Sequence, residues 1–157
     1  MAVKGPPFRR ARTARSPVMG FVRELLDAMT EKDRWMRRAA GISTLRLICH
    51  EDTWTALKAL RSGDLHQPEQ GRIDATEERI TRNGDGMLEI ALSGPEVVRI
   101  IQVTHRNQKH GSPEDLAISG RAYTGFGSVL ETVGVGHSPG VEIPPVILDD
   151  RPPAAAS

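Results

Sequence analysis

The stretch from Glu78 to Asn107 constrains the fold more than any other part of the sequence. Two runs of strand-forming residues, 79–82 and 87–92, flank the turn Asn-Gly-Asp-Gly at 83–86. Asn and Gly tolerate positive φ, so this pattern predicts a β-hairpin. The following Ser-Gly-Pro-Glu at 93–96 predicts a helix start, with Ser as N-cap and Pro in the first turn. The apolar face of this helix would be formed by Val97, Val98, Ile100, Ile101 and Val103.

Two helical patterns and a strand precede the hairpin. Apolar residues recur at three- and four-residue spacing from Val18 to Met29, which predicts an amphipathic helix. Trp35, Met36 and the alanines before Gly41 continue the helical pattern, as one bent helix or as two. Residues 43–49 alternate between apolar and polar positions, which favours a short strand over a continued helix.

Two more helices are expected on either side of the hairpin region. Asp52 or Thr53 can cap a helix that carries Trp54, Leu57 and Leu60. Ser-Pro-Glu-Asp at 112–115 repeats the helix start signal, and the apolar residues up to 133 have partial helical spacing. We expect a helix here, either continuous or broken, because three glycines interrupt that spacing, each at a cost of about 1 kcal/mol in a helix interior: Gly120, Gly125 and Gly127.

These elements predict one α+β domain over residues 18–134. A small antiparallel sheet, including the hairpin near 79–92, would pack with four or five helices. Residues 1–17 lack hydrophobic periodicity and predict a disordered basic tail, and residues 135–157 predict a Pro-rich extended tail. The chain contains no run of about 18 apolar residues, so no membrane-spanning helix is expected, and we place the protein in the cytoplasm.

The net charge of +1 conceals an uneven distribution of charge. Residues 1–17 contain no acid and five bases, while the rest of the chain has 16 bases against 20 acids. Such a tail is typical of a solvated terminus, of a transit peptide or of contact with a polyanion. A nucleic-acid-associated role would use its arginines, which are Arg9, Arg10, Arg12 and Arg15.

A second basic cluster lies between residues 34 and 46. It consists of Arg34, Arg37, Arg38 and Arg46, with Trp35 among them. Glu31 and Asp33 lie beside the cluster, so a solvated helix face competes with a nucleic-acid site. The two basic regions together give the alternative functional prediction, a nucleic-acid-associated accessory protein.

No motif for catalysis, metals or cofactors is complete. Cys49 and His50 are neighbours, and adjacent side chains in a strand point to opposite faces. The turn at 83–86 resembles the middle of a calcium loop, but Thr81 and Leu92 stand where that loop needs its two anchoring carboxylates. His105 and His110 are five residues apart, which does not suit a helical metal pair. We therefore predict no catalytic residues, no metal and no cofactor, although an enzyme whose active-site residues are scattered in sequence stays open.

The C-terminal stretch Ile143-Pro144-Pro145-Val146-Ile147-Leu148 is apolar and stiff, and its first four residues are the predicted partner-binding residues. Segments of this kind dock into grooves or add to sheet edges at low entropic cost, or they pack across their own domain. With the first helix, this stretch offers more apolar surface than a small sheet needs to cover. We therefore predict a noncatalytic protein-interaction or regulatory module that binds a protein partner or a second copy of itself.

Overall fold

The computed structural model describes residues 29–61, 73–133 and 142–149. These residues form an α+β fold with four helices and a four-stranded sheet, which confirms the predicted fold class. The elements in chain order are α1 (Glu31–Ala40), β1 (Leu45–His50), α2 (Glu51–Ala59), β2 (Ile80–Arg82), β3 (Met87–Leu92), α3 (Gly94–His110), α4 (Pro113–Thr132) and β4 (Val146–Ile147). The predicted helix from Val18 to Met29 lies almost wholly outside the described residues.

The sheet is mixed, whereas the sequence predicted a purely antiparallel one. Its strand order is β2-β3-β1-β4. β3 pairs antiparallel with both β1 and β2, but β4 lies parallel to β1, with Leu47 opposite Val146 and Ile48 opposite Ile147. Parallel pairing needs a long crossover, and the chain between β1 and β4 includes three helices and the hairpin. The parallel strand comes from a stretch that the sequence assigned to an extended tail.

The hairpin turn forms at Asn83–Gly86, and its first strand is shorter than expected. Gly86 has a φ of 83°, the positive value for which glycine is favoured. The Asn83 N–H donates to the Met87 carbonyl at 2.9 Å, and the Asp85 carboxylate accepts the Met87 N–H at 3.2 Å. β2 begins only at Ile80, because residues 77–79 form a single 3-10 turn.

The helix starts agree with the sequence signals in two cases and differ in one. The Glu96 carboxylate accepts the Ser93 N–H at the start of α3, and the Ser112 hydroxyl accepts the Asp115 N–H at the start of α4. The N-cap of α2 is His50, two residues before Asp52, which is the earlier of the two expected caps: the His50 ring, through Nδ1, accepts the Asp52 N–H at 3.2 Å.

The predicted helix α4 is continuous through its three glycines, which decides between the continuous and the broken helix that the sequence left open. One of them, Gly127, lies directly under the ring of Trp35, where a Cβ atom would overlap the indole. Close packing of α1 on α4 therefore requires glycine at this position. Trp35 is 7% exposed and lies 4.8 Å from the Tyr123 ring, centroid to centroid.

One face of the sheet and the helices enclose a single hydrophobic core. The inward residues of β1 alternate with half-buried ones, and β4 contributes the fully buried Val146. The helices add Trp35, Trp54, Phe126 and other buried side chains to the same cluster. The opposite sheet face carries the alternate residues, which lie outside the core cluster: Arg46, Ile48, Glu89, Ala91 and Ile147. None of the described helices is long and apolar enough to span a bilayer.

Candidate functional site

β4 is an edge strand whose second residue faces outward. The Leu148 N–H donates to the Ile48 carbonyl oxygen at 3.0 Å. Because backbone groups alternate in direction along a strand, the N–H and C=O of Ile147 point away from β1, to the side on which no described strand lies. The Ile147 side chain is 55% exposed, the largest value among the large hydrophobic residues that the structure describes. The edge therefore offers apolar surface together with backbone groups that no described strand pairs with.

A groove of about 470 Å³ lies beside this strand, between α4 and β4. We call it the α4–β4 groove, and its lining residues are Gly120, Arg121, Thr124, Gly125, Ile147 and Leu148. A Cβ atom at Gly125 would lie 3.0 Å from the Leu148 side chain, so this glycine lets β4 approach the helix. A Cβ atom at Gly120 would meet nothing within 4 Å, so this glycine leaves the groove open. Leu116, 40% exposed, lies one helical turn before Gly120.

Arg121 lies at the end of the groove where β4 terminates. Its Nη2 donates to the Asp149 carboxylate at 2.9 Å and makes a long contact of 3.5 Å with the Leu148 carbonyl. The arginine side chain is 53% exposed. Guanidinium groups have five N–H donors, and the remaining ones have no partner among the residues that the structure describes. Arg121 can therefore bind a second anion without losing Asp149.

Asp149 has hydrogen-bond partners besides Arg121. Burial opposes its ionisation, but hydrogen bonds from the Thr53 hydroxyl and the His50 N–H, together with the Arg121 charge, lower the pKa of this carboxyl. The His50 N–H lies 3.0 Å from the carboxylate. These bonds fix the chain after β4 to the start of α2, so the end of the groove is anchored independently of any bound partner.

Cys49 and His50 do not form a nucleophilic pair. The Cys49 side chain is fully buried in the core, and burial, followed by the charge of Asp149, raises the pKa of its thiol to about 12. The His50 ring lies at the opposite sheet face and caps α2. Within the described ranges, no three His, Cys, Asp or Glu side chains lie together as metal ligands. The Asp85 carboxylate of the calcium-like turn binds its own backbone.

The structure divides the basic cluster predicted at 34–46. Arg38 donates to the Glu131 carboxylate at 2.8 Å and to the Leu130 carbonyl at 2.9 Å, and Arg34 lies 3.9 Å from the same carboxylate. Glu131 also accepts the Trp35 indole N–H at 2.7 Å. This hydrogen bond, together with the hydrogen bond and charge of Arg38, lowers the pKa of Glu131, and burial opposes the shift. These two arginines therefore tie α1 to the end of α4.

Arg46 belongs to a different set of contacts, on the sheet face away from the core. It binds Glu89 at 3.2 Å and Glu142 at 2.9 Å. Arg37 is exposed, and the described residues give it no acidic partner. The four arginines are thus not gathered on one acid-free surface. The nucleic-acid alternative stays a prediction that depends chiefly on four arginines outside the described residues: Arg9, Arg10, Arg12 and Arg15.

The predicted docking stretch contributes to the protein's own sheet. Val146 is fully buried and pairs with Leu47, Ile143 packs against the core, and Pro144 is exposed while Pro145 is half-buried. The residue that does face outward is the next one, Ile147, which sequence reasoning did not select. The sequence offers no signal for this difference, because Val146 and Ile147 are both apolar and only their positions in a strand turn them to opposite faces.

Arg121 was also missed, because it lies in a helix whose apolar spacing alone was considered.

Comparison with protein-family models, with curated proteins and with solved structures gave no match. The functional argument therefore depends on the geometry of the chain itself.

Proposed function

We propose that this protein is a noncatalytic protein-interaction module that binds an extended segment along the edge of β4. The observation that carries the proposal is the outward-facing Ile147, whose backbone N–H and C=O and exposed side chain lie beside an open groove. An edge strand presents a ready template for pairing with another chain, and many interaction domains use it in this way.

The groove suits the alternating side chains of an added strand. The residue that pairs with Ile147 would place its side chain on the same sheet face as Ile147. Its two neighbours would point toward α4, into the space that Gly120 leaves open. Backbone hydrogen bonds would supply general affinity, and the groove would supply selectivity. A second copy of this chain is one occupant that the geometry admits, in keeping with the predicted self-association.

The groove is tested by filling it without disturbing the fold. Leucine at position 120 would project into the groove, since a Cβ atom there meets no neighbour within 4 Å. Alanine at the same position is the matched control, because it makes the same change in helix propensity while adding one carbon. A displayed library of random peptides is selected on the wild-type protein, and each binder is then measured on both variants.

We expect binders to lose affinity for Gly120→Leu and to keep it for Gly120→Ala. The edge is tested separately with Ile147→Pro and Ile147→Ala. Both remove the isoleucine side chain, but only proline also removes the outward N–H, leaving the inward pairing to β1 in place. Binders that are indifferent to Gly120→Leu and that do not distinguish the two Ile147 variants would contradict the proposal. Light scattering over a range of concentrations measures self-association in parallel.

A further inference from the structure

We infer that the segment bound in the α4–β4 groove carries a carboxylate next to the residue that pairs with Ile147, and that Arg121 binds this carboxylate. The inference rests on the proposed function and names the chemistry of the partner, an extended protein segment with an acidic residue beside an aliphatic one. It is argued from the charge at the end of the groove and from the direction of the strand.

The charge at the groove points to an anionic partner. Arg121 is half-exposed, and its contacts with Asp149 and Leu148, the two it makes with described residues, both use Nη2. Asp149 is already satisfied by the His50 N–H and the Thr53 hydroxyl. A second carboxylate can therefore approach the free side of the guanidinium, where a two-pronged contact is favourable for arginine. The other described residues that line the groove are glycine, threonine and aliphatic, so Arg121 is the one cationic group among them and defines where the acid binds.

The position of that acid follows from the register. Gly125 lies against Val146 and Leu148, whereas Arg121 contacts Leu148 and Asp149, so Arg121 is nearer the carboxyl end of β4. The bound residue opposite Ile147 points to the open sheet face. Its neighbour on the carboxyl-end side of β4 points toward α4 and reaches Arg121. The acid is therefore adjacent to the residue that pairs with Ile147. An aliphatic side chain on that paired residue would contact the exposed Ile147 side chain.

A second copy of the chain fits this charge less well. In a two-fold pairing of Ile147 with Ile147, antiparallel register places Asp149 of the second copy beside Pro145. Arg121 then faces Val146 of the second copy, which lies opposite Leu148 and offers no anion. Pro145 also has no N–H, so this pairing loses two of the hydrogen bonds that an ordinary residue would make. We therefore assign the groove to a segment from another protein.

The inference is tested with four blocked, fluorescein-labelled peptides measured by anisotropy at low salt. Thr-Thr-Glu-Ile-Val-Thr-Thr places its acid near Arg121 when it binds antiparallel to β4, and Thr-Thr-Val-Ile-Glu-Thr-Thr does so when it binds parallel. Each has a twin with Gln in place of Glu. We expect one glutamate peptide to bind about three- to tenfold more tightly than its glutamine twin, a preference that added salt reduces.

The matched protein variants are Arg121→Gln and Arg37→Gln, each checked for an unchanged thermal unfolding midpoint. Arg121→Gln should abolish the preference for glutamate and leave the affinity for the glutamine twin unchanged. Arg37→Gln, an exposed arginine outside the groove, should keep the preference. The inference would be overturned if a glutamate peptide and its glutamine twin bound the wild type equally. If Gly120→Leu then abolished the binding of both peptides, the proposed function would still stand. Failure of all four peptides to bind would also overturn the inference, and a dimer that Ile147→Pro dissociates would then assign the edge to a second copy.

Discussion

Replacing glycine by alanine should raise the free energy of unfolding at one position of α4 and lower it at another. Gly120→Ala adds a methyl group that meets no atom within 4 Å. Gly127→Ala adds a methyl group that overlaps the ring of Trp35. Both positions lie inside one helix, so the change in helix propensity is the same, and the difference between the two variants measures how tightly α1 packs on α4.

The magnitude follows from the contacts of Trp35. Replacing glycine by alanine in a helix interior stabilises by about 1 kcal/mol, which is the expected gain for Gly120→Ala. At Gly127 the indole must shift, which costs about 1–3 kcal/mol for overpacking. The shift also weakens the hydrogen bond to Glu131, where a bond to a charged group contributes about 1.5–3 kcal/mol. After the gain in helix propensity is subtracted, Gly127→Ala should lower the free energy of unfolding by about 2–4 kcal/mol.

Urea denaturation followed by tryptophan fluorescence measures both free energies, because Trp35 and Trp54 are buried. The two variants should differ by about 3–5 kcal/mol with unchanged m-values. If Gly127→Ala were as stable as the wild type, the indole could not lie on this helix as described. If both variants gained stability equally, propensity would dominate and the packing argument would be wrong.

Three further outcomes are expected. Cys49 should stay unlabelled by a thiol reagent at about pH 8 in the native state and react once the chain is unfolded, since burial raises the pKa of its thiol to about 12; rapid native labelling would contradict this. The pKa of Asp149 is lowered, so its ionised form stabilises the fold above its ordinary pKa of about 3.9, and this stability is lost as the pH falls through the folded pKa. Asp149→Asn should therefore flatten the acid side of a curve of unfolding free energy against pH. Parallel curves for the variant and the wild type would refute this. Gly86→Ala should lose about 1–2 kcal/mol in urea denaturation, because φ is positive and the new methyl group would lie 2.9 Å from His50 Nε2, whereas Gly84→Ala, with open space around it, is the control and should be near neutral.

Sequence reasoning succeeded where the signals are local. The turn at Asn83–Gly86 and the starts of α3 and α4 depend on residues within a few positions of one another, and the structure has all three. The N-cap of α2 was misassigned because the imidazole of His50, which is not among the usual capping residues, supplies the acceptor. Two of the glycines in α4 are closely packed, Gly127 against α1 and Gly125 against β4, a tertiary effect that helix propensity does not contain.

The candidate site could be predicted only in part, because its two sides come from distant parts of the chain. β4 has two residues and exists through its pairing with β1, so no periodicity in the sequence marks it. Leu116, Gly120 and Thr124 share one helix face at four-residue spacing, which is visible in the sequence, but the element opposite them is not. The role of Arg121 likewise depends on Asp149, which only the fold brings beside it.

The prolines before β4 have a consequence for how the protein behaves at high concentration. An exposed sheet edge is a hazard in the cell, since identical edges can stack without limit into fibrils. Here Pro145 has no N–H, the strand is two residues long, and Ile147 supplies the outward backbone donor within it. Such an edge is long enough to pair with one short segment, but it offers too few backbone hydrogen bonds for continuous cross-β growth. The edge proposed to bind a partner can therefore stay exposed while it resists amyloid-like aggregation.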